Sequence, residues 1–266
     1  MKRFGILLII FIICCAGSAT SYAMKINIDP ARAEVVLKPG EEKTGVVTVL
    51  NYDEESPVHV RAYVQDLVYL PDGSNDFLPV GSTPWSLGDA VKIGPTEFDI
   101  PVGKQEQVRY VVSLSKEAKG GRYGVIFFET ATPPSEFRRV GATVNVRLGT
   151  ILLVTVEGTS VFKAKLTGMS VDAKDKDKAV EISCMVYNDS NILIRPSGTV
   201  KIIDEKKTEV ATIDVNKEKA GILPQTNRKF SVKSKEKLPK GNYFAQLVLD
   251  YGGEALLGAQ SSFAIQ

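Results

Sequence analysis

Few residues in this chain are of a type and spacing that could do chemistry. The stretch VGATVNVRLGTILLV (140–154) is apolar at nearly every second position and carries one charge, Arg147. Reading it at period two, Val140, Ala142, Val144, Val146 and Leu148 share one face and Arg147 falls on the other. An arginine there can hold an anion, or it can simply pair with a neighbouring carboxylate and keep that face wet. The only histidine, His59, lies mid-strand beside Arg61 on a face that reads as solvent, which is poor ground for a general base. No cysteine pair or His-x-x-x-His spacing exists to hold zinc, and no glycine-rich turn leads from a strand into a helix to cradle phosphate. Glu54-Glu55 sits in a turn without an apolar wall to raise a pKa. DAKDKDK (172–178) alternates signs and reads as a hairpin loop, its lysines repelling a cation as strongly as its carboxylates attract one. No enzyme, no cofactor and no metal site is predicted, and a small-molecule ligand is not implied.

Composition narrows the partners. The 266 residues carry a net charge of +2 with no basic block, so nucleic acid is excluded as a partner. Lys2 and Arg3, an apolar core from Phe4 to Ile13 and small residues ending at Ser21-Tyr22-Ala23 follow the grammar of a secretory signal, with cleavage expected after Ala23. Cys14 and Cys15 raise the alternative of a lipid-modified amino terminus, but Gly or Ala precedes neither. No later segment approaches the roughly 20 apolar residues of a spanning helix. Removing the signal leaves one cysteine, Cys184, sharing parity with Val180, Ile182 and Val186 in VEISCMV; it reads as a small core hydrophobe, with a reactive thiol as the alternative.

The elements that must position these residues are strands. From Met24 onward the chain shows short stretches of period two and almost no helical period. KTGVVTVLN (43–51) and PVHVRAYV (57–64) read as antiparallel neighbours joined by the polar turn Tyr52 to Ser56. VRYVVSL, the turn Lys119-Gly120-Gly121 and RYGVIFFE find an echo in RKFSV, Leu238-Pro239-Lys240-Gly241 and NYFAQLVLDY. Each copy delivers a tyrosine, Tyr123 or Tyr243, near the start of an apolar strand, and each has an earlier strand closing on asparagine, Asn51 or Asn188. This two-copy pattern predicts an all-β protein, two immunoglobulin-like β-sandwich domains in tandem after a signal peptide: 1–23 signal, 24–157 first domain, 160–266 second domain. Leu70 to Asp99 reads as an irregular crossover between sheets, with a lid or binding loop as the alternative.

DPARAEVVL with Arg32, VLN with Asn51, and the long last strand with Arg147 resemble the first domain of the PapD-like periplasmic pilus chaperones. The resemblance implies that Arg32 and Arg147 grip the terminal carboxylate of a secreted, pilin-like subunit in a cleft between the domains. It also implies that Val140, Ala142, Val144 and Val146 dock as an added strand, with release of the subunit at an outer-membrane usher. Three departures stand out. Residues 148–152 read LGTIL where the family has an aromatic and then Arg-Pro, which implies that the family's salt-bridged domain interface is absent. The docking row is thin at Ala142, with Arg138 just upstream. The second domain, with NILIRPSGTVKIID and LPKGNYFAQLVLDYGG, resembles that of divergent secreted relatives of the chaperones. The expected function is thus a periplasmic chaperone assisting assembly of pilus or surface-fibre subunits; the alternative is a non-enzymatic envelope or adhesion module that binds a wall or surface protein permanently.

Overall fold

The computed structural model describes residues 26–54, 56–131, 145–173, 179–235 and 237–266. The expected signal peptide, Val140, Ala142, Val144, Glu55 and most of the 172–178 run lie outside these.

The strands of the first half are β1 (Ile26–Asp29), β2 (Arg32–Leu37), β3 (Glu42–Asn51), β4 (Val58–Tyr69), β5 (Asn75–Leu78), β6 (Val91–Gly94), β7 (Glu97–Ile100), β8 (Gln105–Ser113), β9 (Gly121–Ala131) and β10 (Arg147–Val156). They form two sheets, β1-β3-β8-β6 and β2-β10-β9-β4-β5, with β7 attached to β4. The inward row of each sheet is β-branched or aliphatic: Val47, Val49, Val108 and Val112 from one, Val60, Phe128, Leu152 and Val154 from the other, all essentially without exposed surface. At ~25 cal/mol per Å² of apolar area, closing the two sheets on each other is what stabilises this half.

The second half repeats the plan with β11 (Ala164–Asp172), β12 (Glu181–Asn188), β13 (Ser197–Asp204), β14 (Glu209–Val215), β15 (Asn227–Lys233), β16 (Gly241–Asp250) and β17 (Leu257–Ile265). Its sheets are β11-β12-β15 and β14-β13-β16-β17 around a separate core. The protein is two immunoglobulin-like β-sandwiches in tandem. Cys184 belongs to the second core, 5% exposed, and burial pushes its thiol up to about 11.

One sequence expectation fails. The 43–51 and 57–64 stretches are not neighbours: β3 pairs with β1 and β8, whereas β4 pairs with β9, β5 and β7 in the opposite sheet. Alternation identifies a buried face but not a pairing partner, and here both faces point at the same core from opposite sides. The crossing is held by Asn51, fully buried, whose amide nitrogen donates to the carbonyls of Ser56 at 3.0 Å and Ile100 at 3.1 Å. Asn188 does the same work in the second copy. Its nitrogen donates to the carbonyls of Ile192 and Ile222 at 2.9 and 2.8 Å, and its Oδ1 accepts from the Ser190 amide.

The 70–99 stretch is a crossover: β5 sits in one sheet, β6 in the other, and β7 returns to the first. Its midpoint is pinned by the buried Asp66 carboxylate, which accepts from the Thr83 amide and hydroxyl at 2.9 and 3.1 Å and the Ser86 hydroxyl at 2.5 Å. That brings Trp85 down onto the outer face of β4 and β9, where its indole donates to the Leu67 carbonyl at 3.2 Å.

Asn188→Ala deletes three hydrogen bonds at a site that water does not reach, and should lower the unfolding free energy by roughly 3 kcal/mol. Urea denaturation followed by circular dichroism measures it; a loss under about 1 kcal/mol would mean that the loop carbonyls find other donors.

Candidate functional site

The first strand of the fold divides between the two sheets, and the division shapes the site. β1 pairs antiparallel with β3; after Pro30, β2 pairs parallel with β10, starting at the register Arg32 to Ile151. β10 pairs with β9 along nearly its whole length, from Arg147 opposite Glu129 onward. Over Arg147–Thr150 it therefore has a strand neighbour on one side only among the described residues. Thr130 N–H donates to the Val146 carbonyl at 2.9 Å, whereas Ile151 N–H donates to Ala31 on the opposite side at 3.0 Å. Antiparallel alternation then directs the N–H and C=O of Arg147 and Gly149 to the uncovered side.

Side chains alternate as well. Leu148, Thr150, Leu152 and Val154 turn toward the sandwich core; Arg147, Ile151 and Leu153 turn to the outer face of the sheet. That face is not the wet surface that the alternation suggests. It is paved with Tyr69, Trp85, Tyr123, Val125 and Phe127, flanked by Tyr63 and Phe77. The Arg147 guanidinium lies 4.3 Å from the Phe127 ring centre and 5.7 Å from that of Phe77. Beside it Tyr63 donates to Glu129 Oε2 at 2.8 Å; burial and this carboxylate raise the Tyr63 phenol, and Arg147 opposes them. Val146, the one described member of the expected docking row, is half-buried, and its amide is taken by the Thr130 hydroxyl at 2.9 Å.

Arg32 and Arg147 share this outer face but not a site. Ile151, the partner of Arg32, is four positions on from Arg147, which is about 13 Å along a strand. Arg32 instead lines a cavity of about 260 Å³ between the sandwiches, and its basic companions there are Arg195, Lys219 and Arg228 from the second half. Tyr69 marks the middle: burial raises its phenol, and Arg32, Arg195 and Arg228 all pull it back, with Glu34 acting the other way.

The two halves are joined closely. Tyr123, 1% exposed, accepts the Leu193 N–H on its phenol oxygen at 2.6 Å, and burial pushes that phenol up to about 12. Gly121 makes the room, since a Cβ there would lie 1.8 Å from that oxygen. Gly121 N–H donates to the Asn191 carbonyl at 2.9 Å and Lys229 N–H to that of Pro71 at 2.8 Å. An ion pair also spans the halves, away from the LGTIL segment: Arg195 Nη2 lies 2.5 Å from Glu34 Oε1. Both partners are partly exposed, so it contributes about 0–1 kcal/mol and chiefly sets orientation.

Arg195 and Arg228 were beyond a reading by motif because they belong to the other half of the chain. A signal existed: in NILIRP, Ile192 and Ile194 alternate inward, leaving Leu193 and Arg195 for an opposite face that needed a partner. His59 Nδ1 lies 2.8 Å from Asp99 Oδ1, at the far end of β4 from Tyr69 and outside this cavity. Among the described residues no group of three His, Cys, Asp or Glu could hold a metal ion, and no helix is long and apolar enough to cross a membrane.

No sequence family and no curated protein matches this chain. Among solved structures it is similar to the class 5 fimbriae chaperone CfaA, with 14% identity over 90% of this chain and 98% of that one, TM-score 0.48. It is also similar to a chain from a chaperone–tip adhesin complex of CFA/I fimbriae biogenesis, with 12% identity over 90% and 98%, TM-score 0.47. A third is from the CsuC–CsuE pre-assembly complex of Acinetobacter baumannii, with 14% identity over 88% and 97%, TM-score 0.44.

Tyr123→Phe should remove about 1 kcal/mol from the join between the sandwiches, seen as faster hydrogen exchange at the Leu193 amide. The phenol also carries a pH signature. Its pKa is higher folded, about 12, than the 10.0 of a free tyrosine, so the folded state holds the extra proton. Its contribution is complete below pH 10 and lost as pH rises through about 12. Urea unfolding at stepped alkaline pH should show a shallower decline in the variant; equal slopes would mean that Tyr123 does not stay protonated in the fold.

Proposed function

We propose that this protein is a periplasmic chaperone that binds secreted, pilin-like subunits by strand addition along β10 and assists their assembly into a pilus or surface fibre. One observation carries the reading: the uncovered edge of β10 stops where β2 begins, at Arg32. A partner strand laid against Arg147 and Gly149 continues the lane that β2 occupies. If it runs parallel to β10, its final residue arrives beside Arg32 at the mouth of the basic cavity, where a terminal carboxylate meets a guanidinium.

The magnitudes agree with a register device. Each main-chain hydrogen bond to the edge contributes about 0.5–1.5 kcal/mol net, and a charge-assisted bond to a carboxylate about 1.5–3 kcal/mol. The carboxylate bond fixes which residue of the partner sits opposite which residue of β10. Val146 adds apolar contact, and Val140, Ala142 and Val144, outside the described residues, would extend the same row. Arg147, on the outer face along the partner's path, is assigned the second contact to the bound chain, with its guanidinium kept over Phe127 until a partner arrives. Exchangeability separates this role from that of a permanent envelope module.

Affinity capture from a native envelope extract, followed by hydrogen exchange on the complex, tests the proposal. The expected result is a small secreted protein whose binding slows exchange at the Arg147 and Gly149 amides at least tenfold. The Leu148 and Thr150 amides, already directed at β9, should change little. Protection without this alternation, or a captured protein retained equally by Arg32→Gln and never exchanged for competitor, would favour the permanent module.

A further inference from the structure

The cavity beside Arg32 is built by both sandwiches, and its cations are not equally committed. Arg195 is taken by Glu34 at 2.5 Å. Arg32 makes no ion pair among the described residues. Arg228 spends one donor, Nη1, on the Gly221 carbonyl at 3.0 Å. Its other terminal nitrogen abuts the 70–75 turn of the first sandwich, where a Cβ on Gly73 would lie 2.3 Å from it. The same turn accepts the Lys229 amide at Pro71, so β15 and the turn are fastened together and the Arg228 head is held at the seam. Besides Glu34, two carboxylates lie near, Asp72 within the field of Arg228. Asp72 is engaged by the Ser74 amide at 2.9 Å and hydroxyl at 2.6 Å, and Glu218 is exposed at the cavity rim. Arg32 and Arg228 thus enter from opposite halves, both close enough to Tyr69 to act on its phenol.

We propose that the carboxylate site is shared between the sandwiches: a chain end held by Arg32 is held at the same time by Arg228, so that occupancy fixes one sandwich against the other. This rests on the strand-addition reading of β10 and adds a second, distal-half residue to it. Two guanidinium groups on one carboxylate satisfy both oxygens, which a single exposed arginine leaves partly to water. A contact that spans the seam also binds only when the two halves are set as they are here.

The test uses the full mature chain and the peptide acetyl-Val-Thr-Val-Thr-Val as free acid and as C-terminal amide, with calorimetry for affinity and side-chain NMR for the arginine Nε–H signals. The free acid should bind at least tenfold tighter than the amide, and the signals of both Arg32 and Arg228 should shift with the acid alone. Arg32→Gln and Arg228→Gln should each erase the acid–amide difference; Arg228→Lys, which keeps the charge but not the fork, should retain part of it. If Arg32→Gln erases the difference and Arg228→Gln leaves it intact, the shared site is overturned while the strand-addition reading stands. If the parent shows no acid–amide difference, both fall. Should Arg228→Gln not fold, the Arg228 signal in the parent decides, and its failure to shift overturns the proposal.

Discussion

The parallel pairing of β2 with the second half of β10 is the constraint on which the rest of this structure depends. A first strand that stayed wholly in one sheet would leave β10 with a long edge, or cover it completely. By changing sheets at Pro30, the chain covers β10 from Ile151 onward and, among the described residues, leaves Arg147–Thr150 paired on the β9 side alone. Edges of this kind are usually blunted, because unpaired N–H and C=O groups recruit other chains. Over the described residues the uncovered stretch is Arg147–Thr150, and it ends against Arg32.

The outer face of the same sheet has a different occupation. Tyr69, Trp85, Tyr123 and Leu153 turn away from the first core and are buried with Leu223 of the second half. The sheet thus carries apolar clusters on both faces, with Arg147 over Phe127 at one limit of the outer cluster and Arg32 entering the cavity at another. This explains an arginine in so apolar a strand: Arg147 lies at the rim where the inter-sandwich packing stops, and its planar cation covers aromatic rings while its edge stays hydrated.

Most of the fold was legible because period two and turn residues are local signals. The two copies, the core rows Val58-Val60-Ala62 and Val180-Ile182-Cys184, and the crossover at 70–99 all follow from side-chain parity and chain punctuation. What was not legible is what parity leaves free. Alternation could not say that β3 and β4 lie in opposite sheets, since each needs only an apolar face somewhere. It could not separate a solvent face from an aromatic face closed by a second sandwich, so Arg147 was left between holding an anion and keeping its face wet. The site was half legible for the same reason: Arg32 carries a local pattern, whereas Arg195 and Arg228 reach it only through the packing of one half on the other.

The two tyrosines show how a repeated sequence acquires unequal roles. Tyr243 closes its own corner, its phenol donating to the Pro239 carbonyl four residues back at 2.9 Å, and it packs within its own core. Tyr123 occupies the corresponding place near the start of β9, yet it turns outward and accepts the Leu193 amide of the other half. A phenol used within one loop stabilises that loop alone; a phenol used across the seam is buried only while the halves stay together, so its burial and its hydrogen bond are gained or lost as one. The first copy thus has a contact between sandwiches where the second has a local staple, and that contact lies two residues from Arg195, which faces Arg32 across the cavity.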